Sequence, residues 1–125
     1  MDYRIKECVE VLKNDLDLLS ITDAELIIKK FDEKIVFGYN SIDWSHYDSR
    51  ISVKDITTLS AELKNNKCYI IWDEQSLPVI KTNIDLVIAN FETITDIAFD
   101  TWIVDIDFIW IIENHHEDGI NFIRI

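Results

Sequence analysis

Glycine, proline and cysteine are scarce in this chain, at two, one and two among 125 residues. Two glycines are too few for the phosphate-cradling loops of Gly-rich nucleotide-binding folds. Together with the single proline they exclude collagen-like, Gly/Ser-linker and Pro-rich chains. Cys8 and Cys68 lie far apart in apolar segments and form no CxxC, so two reduced core thiols are expected rather than a disulfide. Uncharged apolar runs are short throughout. The N-terminal residues Asp2, Arg4, Lys6 and Glu7 interleave charges where a secretory signal would need its apolar stretch, so a cytoplasmic location without a membrane span is expected.

Positive charge is also in short supply, with 12 Lys and Arg against 24 Asp and Glu, a net charge of −12. Up to Lys67 the chain holds ten basic and thirteen acidic residues; beyond it stand only Lys81 and Arg124 against eleven acids. Three quarters of the excess therefore rides on the C-terminal part. Such a field repels nucleic-acid phosphates and anionic lipid and attracts a basic partner.

What the chain has in quantity is apolar surface: 48% hydrophobic residues, with four Trp, four Tyr and six Phe. A chain of this length buries about two-thirds of its unfolded surface, and one domain spanning 1–125 is expected. Ile5, Cys8, Val9, Leu12, Leu16 and Leu19 fall on one stripe of a helix, and Thr22 with Glu25 reads as a capping box for a second. Residues 34–39 have strand composition, 40–52 have no clear period, and 55–64 resume helical spacing. The run 68–72 is apolar throughout, as in a strand covered on both faces, and Thr82 or Asn83 can cap a helix carrying Ile84, Val87, Ile88 and Phe91. Residues 96–104, 108–113 and 120–125 read as a meander of three antiparallel strands. The expected class is α+β, with helices packed on one face of a mainly antiparallel sheet.

Catalytic constellations are sought without success. His115, His116, Glu117 and Asp118 are potential metal ligands, but adjacent histidines on an extended chain are expected to point apart, and HExxH spacing is missing. Asp105 and Asp107 lack the Gly and distal Glu of a calcium loop. His46 near Asp43, Asp48 and Ser49 has no nucleophile elbow beside it. No metal, cofactor or enzymatic activity is expected. Trp102 alternates with Asp100 on the strand face opposite Ile97 and Phe99, so either that face is covered or an aromatic stands among carboxylates in the manner of a binding hot spot. Trp44, in the irregular segment, is a second contact candidate, whereas Trp72 and Trp110 belong to the core.

Cys68-Tyr69-Ile70-Ile71-Trp72-Asp73, Leu77-Pro78-Val79 with Lys81, Phe99-Asp100-Thr101-Trp102, and His115-His116-Glu117 leading to Gly119-Ile120 together resemble the immunity proteins of bacterial contact-dependent growth inhibition systems. The resemblance covers about residues 66–125. It implies a small non-catalytic cytoplasmic protein that binds, in a 1:1 complex, the C-terminal toxin domain of a surface-delivered protein made by sibling cells. If that toxin is a nuclease it is basic, because it must bind phosphates, and an acidic inhibitor would be steered to it. On this reading Trp44 and Trp102 anchor the complex, while Asp73, Asp100, Asp105, Asp107, Glu117 and Asp118 pair with toxin Lys and Arg. A different class of answer is an acidic nucleic-acid mimic or antirepressor that binds a DNA-binding protein. Such a mimic would take several unrelated basic partners, where an immunity protein takes one.

Overall fold

The computed structural model describes residues 2–39 and 41–125. Five helices are described: α1 (Tyr3–Leu12), α2 (Ile21–Lys34), α3 (Ser60–Leu63), α4 (Ile84–Ala89) and α5 (Phe91–Thr95). Seven strands accompany them: β1 (Asp17–Leu18), β2 (Ile51–Val53), β3 (Lys67–Trp72), β4 (Ile80–Asn83), β5 (Thr101–Asp105), β6 (Trp110–His115) and β7 (Gly119–Arg124). All the strands join one antiparallel sheet in the order β1-β4-β3-β5-β6-β7-β2, so the fold is α+β with the C-terminal meander β5-β6-β7 near its middle. Among the described residues no helix is long and apolar enough to cross a membrane.

Alternation along the central strands sorts side chains onto two apolar faces. On the first, Cys68, Ile70, Trp72, Ile103, Trp110, Ile112 and Phe122 pack with the apolar sides of α1, α3, α4 and α5. On the second, Ile71, Val104, Ile111 and Ile123 pack with Phe31 and Ile35 from α2 and its end, and with Ile42 from the segment that follows. Four helices thus share one face, as the α+β reading expects, and α2 with its trailing loop closes the other. Cys8 and Cys68 are buried free thiols, and burial pushes the Cys8 thiol up to about 12.

Several local expectations shift. The first helix ends at Leu12 rather than Leu19: Lys13–Asp15 form a short 3-10 turn, and Asp17–Leu18 pair with Ile80–Lys81 at the sheet edge. Leu16 and Leu19 kept the helical period by coincidence of spacing. The cap of α2 is Ser20, whose hydroxyl accepts from Asp23 N, and not Thr22. Residues 35–39 form no strand beyond a single bridge between Phe37 and Ile42; the loop expected over 40–52 ends in β2, and residue 40 itself lies outside the described residues. Helical spacing over 55–64 is realised as a 3-10 turn (Ile56–Leu59) running into α3. The strand expected from 96 begins only at Thr101, since Asp96 closes α5 and Phe99 faces solvent.

Ile103 is fully buried on the middle strand, and truncating it leaves a cavity both sheet neighbours must tolerate. Ile103→Ala should lower unfolding free energy by about 2–5 kcal/mol, whereas Ile109→Ala, at a position 59% exposed in the β5–β6 turn, should stay within about 0.5 kcal/mol of the parent. Urea unfolding followed by tryptophan fluorescence measures both, and equal effects would contradict the assigned register.

Candidate functional site

The second sheet face is not purely apolar. Glu113 on β6 is fully buried there, and its Oε2 accepts from Trp102 Nε1 at 2.8 Å and from Ile42 N at 3.0 Å. Burial holds the Glu113 carboxyl above the usual carboxylate range despite these bonds. Phe31, Phe37 and Trp102 meet edge-on or tilted above it, with centroids 5.4 to 5.7 Å apart. Trp102 is thus half-buried under α2 and the loop, and its face is the covered alternative of the two the alternation allowed.

At the end of the sheet where β3 and β6 finish and β5 begins, the chain collects Asp73, Asp100, His115, His116, Glu117 and Asp118. Trp72 pairs with Thr101, which places Asp73 beside Asp100, and Asp73 N donates to the Asp100 carbonyl at 3.2 Å. Asp100 is buried, and its Oδ1 accepts from His116 N at 2.9 Å and lies 2.9 Å from His116 Nδ1. Bonding to that carboxylate raises the His116 pKa above 6.5. The β6–β7 turn is closed by His115, whose Nδ1 accepts from Glu117 N at 3.1 Å and Asp118 N at 3.3 Å. Gly119 follows at φ +75°, the left-handed conformation this tight return needs.

The two histidine rings do not point apart, as extended backbone would have them; they stack 4.6 Å apart because the turn begins between them. Asp100, His115 and His116 therefore come close enough to share a cation. The donor chemistry disagrees with that use. A histidine whose Nδ1 accepts two amide N–H groups carries its proton on Nε2, so it has no lone pair left to offer a metal. The cluster reads as a hydrogen-bonded clasp on the turn.

The structure brings five of the eight expected contact residues to one end of the sheet: Asp73, Asp100, Trp102, Glu117 and Asp118. Asp73, Glu117 and Asp118 are exposed there, whereas Asp100 is buried in the clasp. Asp105 closes β5 at its opposite end, roughly 13 Å of strand away, and Asp107 lies in the turn just after it. Asp107 is exposed, but Asp105 is buried, its Oδ2 accepting from Asp107 N at 3.0 Å and Ile109 N at 3.4 Å while Phe108 takes φ +58° between them. Trp44 is half-buried against the second core beneath Arg50, whose guanidinium lies 5.3 Å from its ring centre. Glu113 and Phe37 were not singled out from sequence. Glu113 is the one acid of its strand, directly after Trp110, Ile111 and Ile112, and only the strand register reveals that its side chain points inward.

Taken together, the molecule is an acidic α+β domain whose described polar clusters serve turns and loop anchorage, and whose exposed carboxylates face outward from a rigid sheet. A family model described as CdiI immunity protein EcoliA0-like matches residues 3–123. The chain belongs to this family and is an immunity protein of a contact-dependent growth inhibition system. The match takes in the helical first half as well as the C-terminal part that carries the sequence motifs. No curated protein matches the chain significantly.

Two outcomes follow for Glu113 and for the His116–Asp100 pair. Because the Glu113 pKa is raised in the fold, the native state holds that proton to higher pH than the unfolded chain, and the Glu113 contribution to stability falls as pH rises from the usual carboxylate range through the raised value. Glu113→Gln keeps an acceptor for both N–H groups and should flatten that part of the stability–pH curve, measured by urea midpoints at a series of pH values rising from the usual carboxylate range. His116 has the histidine sign: its contribution is present below 6.5 and is lost as pH rises through its raised value. Its ring signals in an NMR titration should move above pH 6.5, and Asp100→Asn should bring the midpoint back down.

Proposed function

We propose that this immunity protein acts in the cytoplasm by binding a basic nuclease toxin domain one to one, through the acidic end of the sheet. The observation that carries this reading is the gathering of exposed Asp73, Glu117 and Asp118 beside the half-buried Trp102, on a chain with a net charge of −12 and two cations after Lys67. Carboxylates fixed at strand ends speed encounter with a basic surface and hold register, while an aromatic centre shielded from water supplies the tighter part of the contact. Asp107 and Trp44 belong to the rim of such an interface if the toxin wraps the sheet, and Asp100 and Asp105 support it from beneath by fixing the turns that present their neighbours. The protein need supply no chemistry for this role: occupying the phosphate-binding surface excludes the substrate by charge and bulk.

The test is calorimetric titration with the toxin domain encoded beside this gene, at low and high salt, with an unrelated basic nuclease as control. Tight 1:1 binding to the neighbour alone supports the proposal. Binding to both that disappears in salt would favour a nucleic-acid mimic, and binding to neither would sink it. Reversing the exposed pair in Glu117→Lys/Asp118→Lys should slow association by about tenfold at low salt and leave the unfolding free energy from urea titration within about 0.5 kcal/mol of the parent. An association rate that does not move would take the β6–β7 turn out of the interface.

A further inference from the structure

Between α2 and the β3–β4 connection lies a cavity of about 290 Å³. Its aromatic wall is Phe31, Phe37 and Trp102, and Asp32, Asp73 and Glu74 are among its lining residues. No Lys, Arg or His lines it among the described residues. The volume is at the small end for ligand pockets, which suits one long side chain rather than a cofactor. Glu74 is already committed, since Arg4 Nη1 and Nη2 donate to its two oxygens at 2.7 and 2.8 Å. Among the described residues Asp32 and Asp73 have no ion-pair partner. Both are exposed, so neither is a buried charge that the fold itself must neutralise.

From this combination we infer that the cavity is a receptor for an arginine side chain of the cognate toxin domain, with the guanidinium set against the Phe31–Phe37–Trp102 wall and hydrogen-bonded by Asp32 and Asp73. The inference rests on the toxin-binding reading above and gives it a specific anchor. Each part of the cavity matches a part of the arginine. The planar cation stacks on aromatic faces and its fork of N–H groups takes carboxylates in pairs. Its three methylenes lie along apolar walls, here Ile28, Ile71 and Val79. A neutral apolar anchor would leave two carboxylates facing an apolar group with no gain, and an acidic one would be repelled. The aromatic wall is itself held in place, because Trp102 is bonded to Glu113 and Phe31 is the buried residue by which α2 packs on the sheet. A preformed site loses little side-chain freedom on binding.

Two arms separate the cavity from the toxin. In the first, isotope-labelled protein is titrated with n-butylguanidinium, with n-butanol and butyrate as controls, and the Trp102 indole and Asp73 amide signals are followed. Saturable shifts with the guanidinium, weak shifts with butanol and none with butyrate are expected, and they should vanish in Asp32→Asn/Asp73→Asn, whose substituted groups make no ion pair in the fold. Equal response to all three probes, or no response to the guanidinium, would overturn the inference whatever the toxin does. In the second arm, the same double variant should bind the cognate toxin domain about ten- to a hundredfold more weakly with an unchanged urea midpoint. Toxin affinity equal to that of the parent would overturn the assignment of this cavity to the toxin while leaving the immunity role intact. If the parent protein itself fails to bind the toxin domain, the functional reading is at fault and not the cavity.

Discussion

Glu113 places a carboxylate in the middle of an apolar sheet face, and the only N–H groups within bonding distance in the described structure come from Trp102 on the next strand and Ile42 in the loop after α2. A buried carboxylate without donors is too costly to keep, so wherever Glu113 is inward the loop must come to it. That requirement ties Ile42 and its described neighbours across the sheet and places Phe37 against Phe31 and Trp102. Tyr47 adds a second tie, its hydroxyl accepting from Val36 N. Without this closure the apolar residues Ile71, Val104, Ile111 and Ile123 would face water on the second side.

The same closure shapes the acidic surface. The sheet is rigid because both of its faces are covered, and rigidity allows like charges to be held outward at strand ends without the turns rearranging to separate them. Asp100 and His115 carry this further at one end by binding the backbone of the β6–β7 turn, and Asp105 does so at the other around the left-handed Phe108. Aspartates and glutamates at the ends of the sheet therefore divide into those that hold turns, Asp100 and Asp105, and those exposed to solvent, Asp73, Asp107, Glu117 and Asp118, and the two kinds lie within a few residues of each other.

That division explains how far the sequence could be read. The apolar run 68–72, the late meander and the helical spacings of 84–91 all have a strong local cause, and each appears in the structure near its expected place. The expectations that moved are those where a distant partner outweighs local spacing. Asp17–Leu18 leave the helix because β4 offers an edge to pair with, and residues 35–39 give up strand geometry for the loop that reaches Glu113. In the candidate site, the sequence showed Trp102 alternating with Asp100 on one strand and Glu117 and Asp118 in a turn, and the family resemblance implied these and Asp73 as contacts. The buried state of Asp100 was not legible, since an aspartate that caps a distant turn and one that faces solvent have the same neighbours in sequence, and Asp105, which holds the turn directly after it, reads like any other turn acid.

Composition and pattern by themselves determined an acidic α+β fold with an antiparallel C-terminal meander, because charge sums and hydrophobic periods are properties of the chain and survive any arrangement of it. Motif order brought the family into view for a similar reason. Only the tertiary structure decided which face α2 covers, which carboxylates are spent inside the fold, and that Asp32, Asp73 and the Phe31–Phe37–Trp102 cluster border one cavity. Those residues come from α2, the loop after it and the ends of two strands, and no local rule relates positions that only the packing of separate elements brings together.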